Sequence, residues 1–497
     1  MQSPDGDDLS GPTSTSVRRD LVSGGVYALA SAAQRAVAFL LLPLYTSVLS
    51  PAEYGRLSVL LTIVGATVVI LGAGLDYAVL RGYVEREADA ASQRRFVLSI
   101  WALLLIAAPV LAGATGLVVL MAAPNGGVAR PREIVVALLA AAVSVCATTV
   151  PLAVLRAAQR LRHYLLLSGI SIVTNAVLTV LAVVVLRLGV VGWLLALLAS
   201  AVVALAAALL VLPWSLVDPF DRPGVVQALS QGLPLVPHAL SQWSLQLADR
   251  AVLATIVAPA ALGVYSLGAN LALPSMVLVI ALNQGFLPSY ARARHDPRAV
   301  EKLRVTITLH VAIVCIVGLA TSLLAPPLVG LVVSSAYSGA KSVIPWITLG
   351  YVFLGLYFIP MNAVSLIAAR TKRIWPMTLG AAVLNLMLIY FFVPHYGVVA
   401  AGVASAVGYF ALLLAISAYA AQIRVRVDIE WRRVGALIGT SASVYAAGMV
   451  LLPGSGVASL ASRGTLLLCF SALLAVAAGV PLGAFRGVLR EDTGSVR

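Results

Sequence analysis

Apolar stretches of roughly twenty residues follow one another along almost the whole chain, separated by short loops, and this pattern constrains the fold more than any motif does. About twenty residues of α-helix rise roughly 30 Å, the thickness of a bilayer's hydrocarbon. In that medium each backbone N–H and C=O must find its partner within the chain, so the stretches read as helices. Composition points the same way: 61% of residues are hydrophobic, 10% are charged and mean hydropathy is +1.00. No soluble globular chain of 497 residues has that balance. Hydropathy and loop charge place about fourteen spans, near 22–48, 57–80, 96–122, 134–155, 164–186, 190–213, 229–256, 262–288, 305–333, 342–368, 374–393, 398–421, 434–452 and 464–485.

Charge sets the orientation. With the N-terminus in the cytosol, twenty-five of the 33 Lys and Arg fall on the cytosolic side, six on the outer side and two within spans. That asymmetry reads as positive-inside topology with both termini cytosolic. It also accounts for the net charge of +14 without any nucleic-acid partner. The first residues, with Asp5, Asp7 and Asp8, lack the layout of a signal peptide and read as a disordered cytosolic tail.

The chain also repeats itself. Leu49-Ser50-Pro51-Ala52-Glu53-Tyr54-Gly55, with Ser58 beyond, parallels Val257-Ala258-Pro259-Ala260-Ala261-Leu262-Gly263, with Ser266 beyond, at an offset of 208. Leu188-Gly189-Val190-Val191 parallels Tyr396-Gly397-Val398-Val399 at the same 208, while Arg160 and Asn175 match Arg370 and Asn385 at 210. Six spans per unit make the repeat parallel, its axis along the membrane normal. The reading is therefore an all-α polytopic membrane protein of about 14 transmembrane helices: two six-helix lobes around a cleft, plus a C-terminal helical hairpin. Its parts are a tail over 1–21, an N-lobe over 22–213, a linker over 214–228, a C-lobe over 229–421, the hairpin over 434–485 and a tail over 486–497.

Several chemistries drop out. Cys146, Cys315 and Cys469 are scattered through apolar spans, with no metal-ligand spacing. Gly339-Ala340-Lys341-Ser342 has the ending of a phosphate-binding loop but not its upstream glycine. No cofactor is implied. The outer loops hold only Glu53 and Glu133 as acids, too few for an enzyme working on glycans there.

Function is sought instead in charges inside the spans. A charge at mid-bilayer costs about 2.5–3.5 kcal/mol even on insertion scales, so it faces a polar cavity or a partner. Arg35, beside Gln34, is such a charge, and reads as an anchor for an anionic cargo; the alternative is a structural ion pair with Asp249 across the lobes. Asp249 and Arg250 are adjacent, so on a helix they point about 100° apart and cannot both serve one face. Arg250 is a second binding candidate, and Asp249 is either an ion-coupling carboxylate or half of a locking salt bridge. His238, Gln242 and Gln246 form a polar stripe at four-residue spacing, suited to a hydrated cavity or to helix–helix hydrogen bonds. Asp76 and Arg81, at the cytosolic end of the second span, either cap a helix or gate the inner mouth.

Tyr27, Arg35, Leu42-Pro43-Leu44-Tyr45-Thr46, Leu49-Ser50-Pro51, Glu53-Tyr54-Gly55, Gly72, Gly74-Leu75-Asp76 and Arg81 resemble the opening of the polysaccharide flippase family. These are the O-antigen and capsule exporters of the multidrug/oligosaccharidyl-lipid/polysaccharide superfamily. Gly232, Pro234, Asp249-Arg250, Gly263-Val264-Tyr265, Asn283 through Pro288, and Tyr337 with Ala340 extend the resemblance. Ser334-Ser335-Ala336 departs from it, standing where a Gly–acid pair is expected. The resemblance implies a transporter, not an enzyme. Its cargo would be a polyprenyl-pyrophosphate-linked glycan carried from the cytosolic to the outer leaflet of the bacterial cytoplasmic membrane. Arg35 would then hold the pyrophosphate. Membrane lipid, glycosyltransferases and a polysaccharide polymerase are the implied partners. The rival readings are a lipid II flippase and a drug/cation antiporter.

Overall fold

The computed structural model describes residues 37, 39–122, 129–212, 219–294, 297–371, 373–425, 429–452, 454 and 456–477. Both predicted tails, most of the first span with Gln34 and Arg35, and part of the linker lie outside the described residues. The described chain is helical, without a strand. Its helices are α1 (Leu42–Val48), α2 (Pro51–Gly72), α3 (Leu75–Glu85), α4 (Ala90–Ala122), α5 (Pro131–Ala157), α6 (Leu161–Thr179) and α7 (Gly189–Val211). There follow α8 (Arg222–Gly232), α9 (Val236–Trp243), α10 (Asp249–Ile256), α11 (Pro259–Ala293), α12 (Pro297–Val332), α13 (Ala340–Asn362), α14 (Ile374–Tyr396), α15 (Val398–Gln422), α16 (Trp431–Leu451) and α17 (Val457–Ala477).

Eleven helical stretches among the described residues are long and apolar enough to cross a membrane, against the fourteen expected. The first span is mostly undescribed, and α17 counts only as a shorter apolar helix. The seventh, read over 229–256, is one continuous run of helical backbone from Arg222 to Ile256 but not a regular α-helix. Pro234 and Pro237 remove two backbone donors beside a 3₁₀ turn at Leu233–Leu235, and a π-helix follows at Ser244–Ala248. The second span is bent. Ala73 and Gly74 both adopt left-handed backbone (φ 50° and 65°) between α2 and α3. A Cβ on Gly74 would strike the Gly232 carbonyl, so the bend closes directly on the end of α8.

Helix starts are set by short-range chemistry. Ser50 and Glu53 form a reciprocal capping box ahead of α2, with Pro51 in its first turn. Glu133 accepts from the Arg130 N–H at the start of α5 and lies 3.8 Å from Arg56. The two outer acids are thus used at helix starts.

Packing divides the helices into two bundles. α5 runs through the centre of the first, against α2, α3, α4, α6 and α7, and α13 occupies the corresponding place among α11, α12 and α15. The repeat is visible in single contacts. The Trp101 indole donates to the Cys146 carbonyl at 2.8 Å, and the His310 Nε2 lies 2.9 Å from the Gly355 carbonyl, both pairs 45 residues apart and related by an offset of 209. Asn175 bonds Ser200 between α6 and α7, and Asn385 bonds Ser405 between α14 and α15. The hairpin α16–α17 packs on α12.

Arg463, which stands just before the last span read over 464–485, is inside α17 and only 3% exposed. Pro327 has no N–H, so the Leu323 carbonyl in α12 lacks its helical partner. Arg463 Nη1 donates to that oxygen at 3.1 Å, while Nη2 reaches the Leu452 carbonyl at the end of α16 at 2.9 Å. One side chain therefore fastens the hairpin to the C-terminal bundle.

Candidate functional site

The bundles meet along α2 and α11, at the end of the molecule that carries residues 49–58 and 257–266. Gly55 and Gly263 face each other so closely that a Cβ on Gly55 would overlap the Pro259 carbonyl, and one on Gly263 the Pro51 carbonyl. One turn further in, Ser266 Oγ donates to Ser58 Oγ at 2.9 Å, a bond between residues 208 apart. Repeat-equivalent residues touch each other, so the pseudo-two-fold axis runs through this seam. Near its rim the buried Tyr337 hydroxyl donates to the Leu49 carbonyl at 2.8 Å, and its ring meets that of Tyr54 edge-on at 6.0 Å.

Below the seam lies a charged network that breaks the symmetry. Asp249 and Arg250 are 7% and 5% exposed, and Arg250 Nη1 is 3.8 Å from Asp249 Oδ1. Adjacent residues on a helix diverge, and both stand in the regular α10; it is the long Arg250 guanidinium that folds back towards the carboxylate. Both charges therefore serve one buried cluster, which corrects the expectation that they could not share a face. Arg250 Nη1 also donates to the Gln246 carbonyl at 3.4 Å, and Nη2 to Asn270 Oδ1 at 3.2 Å. The Asn270 amide then donates to the Tyr54 hydroxyl across the seam at 2.7 Å. The Tyr265 hydroxyl donates to the other Asp249 oxygen. A small cavity beside Asp249, with room for about one water, is lined by Gln246, Tyr265, Tyr351, Ser405 and Tyr409.

The remaining candidates lie apart from this cluster. Arg35 is outside the described residues. His238 and Gln242 are exposed on α9, with His238 Nε2 and Gln242 Nε2 3.3 Å apart; Gln246, a turn on, reaches the cavity. Asp76 is exposed in the first turn of α3, and Arg81 pairs at 2.6 Å with Glu85 on its own helix rather than with Asp76. Sequence reasoning missed Asn270, Tyr265 and Tyr54 as members of the network. Tyr54 and Tyr265 belong to the motifs that carry the family resemblance, whereas nothing in the sequence marks Asn270.

The family model described as "Polysaccharide biosynthesis protein" matches residues 30–342, more than half of the chain. The chain belongs to this family. Its fold resembles those of solved flippase and multidrug-transporter structures. A lipid II flippase, MurJ, in an inward closed conformation superposes with a TM-score of 0.70 at 12% identity, over 93% of this chain and 99% of that one. A MATE-family multidrug resistance transporter in an inward-facing conformation gives 0.62 at 17% identity, over 82% and 96%. An outward-facing MATE transporter gives 0.54 at 19%, over 84% and 95%. At such identities the likeness is one of fold. No curated protein sequence matches the chain. The protein is a multi-pass membrane protein of the polysaccharide biosynthesis family.

Proposed function

We propose that the protein carries a polyprenyl-pyrophosphate-linked oligosaccharide from the cytosolic to the outer leaflet of the bacterial cytoplasmic membrane, by alternating access, for surface polysaccharide synthesis. The observation that carries this reading is the seam: two pseudo-symmetric lobes closed on each other at one end, with a buried arginine tied across the closure through Asn270 and Tyr54. Positive-inside topology puts that end outside, so this form is closed to the exterior. Opening the seam breaks the Asn270–Tyr54 bond and loosens Arg250, which then supplies a cation to the passing headgroup. Arg35 is the anchor for the pyrophosphate, and the Gln246 end of the polar stripe lines the path of the sugars. Asp249, whose carboxylate is shared between Tyr265 and Arg250, is the group through which an ion gradient would act. Glycosyltransferases and a polymerase would work before and after this step.

Deleting the gene and probing polyprenyl-linked glycans with an impermeant reagent tests the proposal. A complete repeat unit trapped on the cytosolic leaflet supports it. Trapped lipid II would assign the protein to peptidoglycan instead, and raised sensitivity to cationic drugs with no trapped lipid would make it an antiporter. In complementation, Arg35→Ala should abolish export while Arg35→Lys retains part of it. Full activity of the alanine variant would remove Arg35 from the mechanism.

A further inference from the structure

Trp243 ends α9, immediately before the π-helix, and α9 packs on α2 of the N-lobe and α14 of the C-lobe. The indole edge lies against α2 where that helix has no side chain: a Cβ on Gly65 would stand 2.9 Å from Nε1 and 3.5 Å from Cδ1. Gly65 follows Ser58 by seven residues on α2, so this contact lies about 10 Å inward of the Ser58–Ser266 bond. The Trp243 ring is partly exposed, while its Nε1 is buried. Among the described residues nothing accepts from that N–H. A buried indole N–H ordinarily has an acceptor, so a donor without one, set between two lobes that part, points to a ligand.

The repeat marks the same residue independently. The offset of 208 that pairs Ser58 with Ser266 also pairs Gln34 with Gln242 and Arg35 with Trp243. Positions 35 and 243 are therefore equivalent in the two halves of the chain, on opposite sides of the pseudo-two-fold axis. Arg35 is the proposed anchor for the pyrophosphate, and a sugar joined directly to that group has to be met close by. Next to Trp243 in the chain, Gln242 is exposed, and Gln246 reaches the cavity beside Asp249.

We propose that Trp243 is the sugar platform of the transport path. Its ring takes the face of the first pyranose of the cargo, and its N–H donates to one of that sugar's hydroxyls. The proposal rests on the glycan reading above and adds to it the residue that recognises sugar. A pyranose presents C–H groups on its face and hydroxyls at its rim, and an indole offers the match, an apolar face beside a single donor. In the closed form the indole edge is held against Gly65; parting of the lobes frees it for the cargo.

The test is native mass spectrometry of the purified protein in detergent with two probes, undecaprenyl pyrophosphate and the same lipid carrying one N-acetylglucosamine. The wild type should bind the glycosylated lipid about tenfold more tightly than the bare one, the equivalent of one added hydrogen bond. W243L keeps apolar bulk without ring or N–H. It should lose that preference while binding the bare lipid as the wild type does, which also shows the variant to be folded. W243F keeps a ring, should retain part of the preference, and carries the test if W243L does not fold. R35A should weaken both lipids alike. A preference undiminished in W243L and W243F, or equal affinities in the wild type, would overturn the platform and leave the glycan reading standing. Loss of both lipids in W243F would make the residue a wedge between the lobes and overturn the platform too. A wild type that binds neither lipid would overturn the glycan reading and the platform with it.

Discussion

Replacing Ser58 and Ser266 by cysteine should lock the two lobes together. The hydroxyl oxygens are 2.9 Å apart, so the sulfurs need to close by about 0.9 Å to reach a disulfide length near 2.05 Å. The helices that carry them are already in backbone contact at Gly55 and Gly263, one turn away. Among the described residues three hydrogen bonds cross the seam: Ser266 to Ser58, Asn270 to Tyr54 and Tyr337 to the Leu49 carbonyl. At a net 0.5–1.5 kcal/mol each they favour closure by roughly 1.5–4.5 kcal/mol, or about ten- to two-thousand-fold. That preference is large enough to populate the closed form and small enough for a cargo's binding energy to reverse it. A disulfide removes the reversal. The assay is glycan export by S58C/S266C in a Cys469→Ser background, because Cys469 is the exposed one of the native cysteines described. Oxidation with copper phenanthroline should stop export, and a reductant should restore it. Undiminished export by a chain shown to be cross-linked would refute the idea that this seam opens during transport.

Other perturbations follow from the same contacts. Asp249→Ala leaves the Arg250 guanidinium buried without a carboxylate, and should cost about 3–5 kcal/mol of stability. The D249A/R250A double variant should be less damaged than the sum of the single ones, as read in a thermal-unfolding cycle; strict additivity would contradict the pairing. Gly263→Ala should push α2 and α11 apart and make a cysteine at position 58 reactive to a thiol probe, whereas an unreactive thiol would mean that the seam can absorb the methyl group. Arg463→Ala leaves the Leu323 and Leu452 carbonyls unsatisfied, for a loss of about 2–5 kcal/mol. Arg463→Lys should recover part of that, and an unchanged melting temperature would show the hairpin to be held by apolar contacts alone.

The class of fold was legible because apolar length and loop charge act residue by residue, needing no knowledge of neighbours. The repeat was legible too, and the Ser58–Ser266 and Gly55–Gly263 contacts join positions already aligned by it. The 3₁₀ and π segments of the seventh span were not, although Pro234 and Pro237 were in view: prolines are tolerated in membrane helices, and only tertiary contacts decide how the helix adjusts to them. The Asp249–Arg250 cluster was hidden for another reason. Helical spacing gives the direction in which each Cβ leaves the helix, and a side chain as long as Arg250 can still turn back to its neighbour's carboxylate. Arg463 falls outside the last predicted span because a charge near an apolar stretch reads as its boundary, while its partners are carbonyls, which no sequence pattern advertises.

The reciprocal fit at the seam also bears on ancestry. Pro51 lies over Gly263 just as Pro259 lies over Gly55, which is the contact that two identical half-length chains would make in a symmetric dimer. In such a dimer each substitution is made twice, so a charge placed beside the axis meets its own copy. Fusion of the halves lifts that restriction. The offset of 208 sets Leu41 and Leu42 against Asp249 and Arg250, so the ion cluster exists on one side only. A polar device that a homodimer would have had to duplicate could thus arise in one half, while the other kept the greasy residues that hold it in the membrane.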